Sequence, residues 1–150
     1  MEQKSAFESF ELDVNQEIKG YLNETSKWSY FLSIMGFIAI GFMLLGGIGI
    51  AFVGSDLGES DGTYQIGYAF GGALFYIVIA VVYLFPVLYL FRFSKSMKNA
   101  LRNNNNEAFI EAFKNLKSHY KFIAIFTIAI IALYIIIIFG VAVTAGSGMF

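Results

Sequence analysis

His119 is the only histidine in the chain, and there is no cysteine. A metal site needs three or four converging ligands, and Glu111, the acid that shares its helical stretch, lies about two turns away. The pair makes neither a metal centre nor an acid–base couple. His119 therefore reads as an interfacial or hairpin-surface residue, near where a polar segment meets an apolar one. Asp56, Glu59 and Asp61 form a second acidic group. Their spacing departs from that of a calcium-binding loop, so a solvated acidic loop is expected. No phosphate-binding loop, nucleophile elbow or zinc-protease motif occurs. Inside the apolar stretches the polar groups are hydroxyls and phenols, such as Ser33, Tyr76, Tyr83, Thr127 and Tyr134. Ion-coupled carriers keep acids, bases or histidines there. The expectation is a non-enzymatic protein with no catalytic residue, no metal and no cofactor.

The informative charges are the positive ones, and they are not spread evenly. Lys4, Lys19 and Lys27 precede the first apolar stretch, while Arg92, Lys95, Lys98, Arg102, Lys114, Lys117 and Lys121 lie between the second and third. Those ten are all the lysines and arginines in the protein. Positive residues near span ends stay on the cytoplasmic side. The N-terminus and the 92–121 segment are thus expected inside, and the 55–65 loop and the C-terminus outside. The segment over 1–27 has six acids against three lysines, whereas 92–121 has seven bases against two acids.

The elements that position these charges are three long apolar runs: Trp28–Gly54, Ile66–Phe91 and Phe122–Gly146, each free of ionisable acids and bases. About 20 residues suffice to cross some 30 Å of hydrocarbon. Hydrophobic residues make up 57% of the chain and charged residues 14%, well below the roughly 25% of a soluble domain. A cleaved leader is not expected, because the segment before the first run is acidic and long. Trp28, Tyr30, Tyr64, Tyr68, Tyr89 and Tyr120 sit at run boundaries, the headgroup level such rings favour.

The expected fold is an all-α membrane protein of three transmembrane helices, with spans two and three extended into a cytoplasmic helical hairpin and an N-terminal amphipathic helix. Phe7, Phe10, Val14, Ile18 and Tyr21 give that last helix its apolar face, with Gly20 and Asn23 as stop signals. After span two, Phe93, Met97, Ala100 and Leu101 form a stripe, with Lys95, Lys98 and Arg102 turned away. Before span three, Phe109, Phe113, Leu116 and Tyr120 form another, and Asn104 followed by Glu107 reads as a capping box. The domains are then 1–27 (cytoplasmic acidic helix), 28–54 (span one), 55–65 (external acidic loop), 66–91 (span two), 92–121 (cytoplasmic basic hairpin), 122–146 (span three) and 147–150 (external tail). A hairpin standing upright competes with helices lying flat on the membrane.

Between helices in lipid, close packing at small residues replaces the hydrophobic drive. Gly67 and Gly71, Ala69 and Ala73 on span two, and Ser33, Gly36 and Gly47 on span one are the candidate packing residues of a three-helix bundle or of a contact between copies. Pro86 should bend span two locally.

The stretches SYFLSIMGFIAIGFMLLGG and FRFSKSMKNALRNNNNEAFIEAFKNLKSHYKF resemble an uncharacterised domain-of-unknown-function family of small bacterial integral membrane proteins. The resemblance covers roughly residues 28 to 140 and implies a bacterial cytoplasmic-membrane protein, with no site residues to carry over. The function expected is that of a scaffold or interaction subunit acting through its cytoplasmic head, with an oligomeric channel or transport accessory as the alternative. Lys95, Lys98, Arg102, Lys114 and Lys117 are the candidate interaction face. The expected partners are the bilayer, anionic lipid headgroups, and a second copy or another membrane protein. Nucleic acid is not expected, since topology and lipid account for the bases.

Overall fold

The computed structural model describes residues 15–53 and 62–147. They form three α-helices, α1 (Gln16–Val53), α2 (Gly62–Asn103) and α3 (Asn106–Ser147). Each is long and apolar enough to cross a membrane. At 1.5 Å per residue, α1 with 38 residues reaches about 57 Å, and α2 and α3 with 42 each reach about 63 Å. That is about twice the hydrocarbon thickness.

Each helix begins or ends where local chemistry dictates. Asn15 caps α1: its side-chain oxygen accepts from the Ile18 amide at 2.9 Å, and its carbonyl from Lys19 at 3.0 Å. The helix then runs through Gly20 and Asn23, where a stop was expected. A glycine costs a helix only about 1 kcal/mol, and the turn around it is held by Leu22 and Ser26, which pack inward. From Gln16 onward, the acidic segment and the first span are one rod. Phe7, Phe10 and Val14 fall outside the described residues, as do Asp56, Glu59 and Asp61.

Helices α1 and α2 run antiparallel in a constant register. Ser94 Oγ donates to the Ser26 carbonyl at 2.7 Å, Gly36 faces Val87, Gly47 faces Ala73 and Tyr76, and Gly72 faces Ile50. Along α1 the buried positions Ser26, Ser29, Ser33, Ile40 and Gly47 fall at steps of three, four, seven and seven. On α2, Ala69, Ala73 and Ala80 follow the same spacing. A seven-residue repeat keeps two helices in contact along a left-handed crossing. Two of the α1 serines satisfy their hydroxyls on their own helix: Ser26 donates to the Asn23 carbonyl at 2.8 Å and Ser33 to that of Tyr30 at 2.7 Å. Gly67 and Gly71 lie off this seam, exposed, with nothing within 4 Å of where a Cβ would stand. They sit about half a turn from Ala69 and Ala73, and a helix face admits one phase only.

Helix α2 reverses into α3 at Asn104 and Asn105. Asn104 has φ 47°, the left-handed conformation that ends helices, and the Asn105 amide reaches back to the Ala100 carbonyl at 3.1 Å. Asn105 then caps α3, its side chain accepting from the Ala108 amide at 3.1 Å. The cap is therefore Asn105 rather than Asn104, and Glu107 sits in the first turn without closing a box.

Among the described residues the backbones of α1 and α3 do not approach each other, and the two helices share only the side-chain cluster at the polar end, against which Leu22 packs. A three-helix bundle is thus replaced by a row with α2 in the middle. The reason is the phase of α2: Ser94 and Val87 face α1, while Phe93 and Pro86 face α3, and neighbouring residues are 100° apart around a helix. From Thr127 to Val143 every side chain of α3 is exposed.

Candidate functional site

The best-packed region is the polar end of the row, where side chains of all three helices converge. Phe93 is 1% exposed, Met97 and Ala112 are fully buried, and Leu22, Leu90, Leu101, Phe109 and Leu116 close around them. On α3 the inward positions are Ala108, Ala112 and His119, with Phe109 and Leu116 beside them. Phe113 and Tyr120, expected on the same stripe, are exposed. The bulk of Phe93 and Met97 explains the shift, because alanines opposite let α3 approach where phenylalanines would not.

This cluster fixes the ends of α1 and α2 so that their basic residues share one groove. Lys95, Lys98 and Arg102 follow at steps of three and four along α2, and Lys27 and Tyr30 answer from α1. The groove has a volume of 510 Å³ and includes Asn99, and no acid lines it. Lys95 Nζ stands 5.4 Å from the centre of the Phe91 ring, a cation–π contact. Phe91 in turn stacks on Tyr30 at 5.7 Å and meets Phe37 edge-on at 5.8 Å. Among the described residues none of the four bases makes an ion pair.

The five bases expected to share one face are divided. Lys95, Lys98 and Arg102 line the α1–α2 groove, whereas Lys114 lines a second one between α2 and α3 with Arg92, Lys95 and Glu111. Lys117 is exposed on α3 and lines neither. Lys27 was missed as a site residue because its charge already served to orient the first span. The antiparallel register that pairs Ser26 with Ser94 is what brings it opposite Lys95 and Lys98.

His119 has a structural role. Its Nδ1 lies 2.8 Å from the Pro86 carbonyl, and since a carbonyl only accepts, Nδ1 carries the proton and donates. Pro86 lacks an N–H, which leaves the Val82 carbonyl without its helical donor, yet α2 stays one helix through it. Around this bond lies an apolar crevice of 380 Å³ lined by Tyr83, Val87, Phe122 and Phe126 among others. Phe122 stacks on Phe85 at 6.1 Å and Tyr83 meets Phe126 edge-on at 6.1 Å. Among the described residues no group of three or more His, Asp or Glu side chains is placed to hold a metal ion.

These features define an all-helical protein whose three helices are each long and apolar enough to span a membrane, drawn together at one polar end. Residues 67–142 match DUF5362, a family of unknown function, and the chain belongs to that family. The matched segment begins inside α2, encloses the asparagine turn and ends inside α3, so α1 lies outside it. No curated protein and no solved structure matches the chain.

Proposed function

We propose that this protein is a non-enzymatic scaffold or interaction subunit of the bacterial cytoplasmic membrane, threaded with its N-terminus inside and its C-terminus outside. Its working part is a cytoplasmic head built from the ends of all three helices, over 16–27 of α1 and the 92–121 reversal. The observation that supports this most is where the surplus helix length lies. The helices are about twice as long as the hydrocarbon core is thick, and in the antiparallel register the surplus of all three lies at one end. That end holds every described lysine and arginine. A protein whose only task was to span would have no use for a packed core beyond the span, such as Phe93, Met97 and Ala112 provide. An alkaline phosphatase reporter inserted at Asn104 should be silent, and one fused after Phe150 active. The reverse pattern would refute the threading.

A second reading, an oligomeric channel or transport accessory, is favoured by one observation: the exposed outer half of α3 and the outward Gly67 and Gly71 leave surface for further copies. In-cell cross-linking with mass spectrometry separates the two. Links from the head to other proteins support the scaffold, while a closed ring of copies with conductance after reconstitution supports the channel.

A further inference from the structure

We infer that the groove between α1 and α2, walled by Lys27, Lys95, Lys98 and Arg102 and bordered by Tyr30, binds the phosphate headgroup of one anionic phospholipid. The inference rests on the membrane-embedded reading proposed above and deepens it, giving the basic head a specific ligand. Three observations point to that ligand.

The first is charge. Four cations share one groove of 510 Å³ with no acid on its walls. Gathering like charges is costly unless an anion joins them. Lysine ammonium groups, the planar arginine fork and the Asn99 amide supply the donors a phosphate diester takes.

The second is depth. On α1 the groove runs from Ser26 to Tyr30, and on α2 from Ser94 to Asn103. The apolar runs open at Trp28 and close at Phe91. The groove therefore straddles the level at which headgroups lie, and Trp28, 61% exposed, marks it. Towards the membrane the wall between the two helices continues apolar, with Phe91 of α2 set against Tyr30 and Phe37 of α1. A lipid can use both parts of this surface, whereas a free phosphate uses only the upper one.

The third is convergence. Bases that serve only to orient a chain need no common target. Lys117 and Lys121 on α3 are exposed and line neither groove described above, while Lys27, Lys95, Lys98 and Arg102, four of the six described bases on α1 and α2, face one space.

The test uses the full chain in a neutral detergent, titrated with phosphatidylglycerol against phosphatidylcholine and read by native mass spectrometry and by Trp28 fluorescence. One phosphatidylglycerol per chain should be retained in preference, with a saturable change in Trp28 emission. The double variant Lys98→Gln/Arg102→Gln should weaken retention roughly thirtyfold, at about fivefold per base near a surface. Lys117→Gln/Lys121→Gln removes the same charge outside the groove and should weaken it less than about threefold. Lys27→Gln alone should match Lys98→Gln alone, because the site has walls on two helices. All these side chains are exposed, so melting curves of the variants should coincide with that of the parent.

Equal losses in the two double variants would overturn the proposal in favour of diffuse attraction. So would equal retention of phosphatidylcholine, or displacement of the lipid by inorganic phosphate at matched concentration. Carbodiimide cross-links from Glu8 or Glu11 to Lys98 that persist with lipid present would give the groove to the chain's own N-terminal segment instead. Binding in detergent does not depend on threading, so a reversed reporter pattern would refute the orientation and leave this result standing.

Discussion

Among single residues, the asparagine run shows how little of a turn its composition dictates. Asn103, Asn104, Asn105 and Asn106 are chemically identical, yet each has a different part. Asn103 donates to Asn99, Asn104 takes the left-handed conformation, Asn105 caps α3, and Asn106 starts it. That a turn and a cap lie here was legible, because asparagine accepts both. Which asparagine does which was not, because that depends on where α2 must stop for Phe93 and Met97 to meet Ala112. Two substitutions separate the roles. Asn104→Ala should destabilise by about 1 kcal/mol, since alanine gains nothing locally in a left-handed conformation, while Asn104→Gly should be neutral or stabilising. Asn105→Ala should cost about 1 kcal/mol through the lost cap. Thermal unfolding in detergent, followed by circular dichroism, measures all three.

At the scale of elements, the seam between α1 and α2 depends on close approach rather than on apolar area, as expected where the surroundings are themselves apolar. Gly36 is the tightest point: a Cβ there would stand 2.7 Å from Val87 Cγ2. Valine is stiff about χ1 and has no flexible end to yield. Gly36→Ala should therefore lower the unfolding midpoint, and adding Val87→Ala should restore most of the loss. Gly41→Ala, with nothing within 4 Å, should leave the midpoint unchanged or raise it slightly. If Gly36→Ala and Gly41→Ala behave alike, the seam is not as close as described. The sequence carried the periodicity of this seam but not its phase. Gly67 with Gly71 and Ala69 with Ala73 are equally good small pairs two residues apart, and only the position of α1 chooses between them. The bond from His119 to Pro86 was hidden for a different reason. The two residues are 33 apart in sequence, and nothing local to either announces the other.

For the whole molecule, hydropathy alone revealed three helices able to span a membrane, because runs that long without charge have few other uses. How the helices are arranged was less legible, since apolar residues that face lipid look the same as those that face a helix. The outer half of α3 illustrates the point: Ile128 to Val143 are as apolar as any core, and their side chains are exposed. Replacing 131–139 with leucines should leave the unfolding midpoint within error, because those side chains are exposed and line neither the second groove nor the crevice between α2 and α3. Ala112→Leu, which adds bulk where exposure is zero, should cost about 1 to 3 kcal/mol. Equal tolerance at both places would contradict the row arrangement.

Above the polar end α1 packs against α2 alone, and that bears on how the protein is made. Every described residue that joins these two helices precedes Asn104. A nascent chain that has just cleared the ribosome through Asn103 therefore already carries the whole seam between these two helices. The last helix to emerge adds Ala112 and its neighbours to the cluster at the polar end and leaves the rest of the seam as it is. It needs only to turn at the asparagines and lay its first few turns against a partner that is already folded.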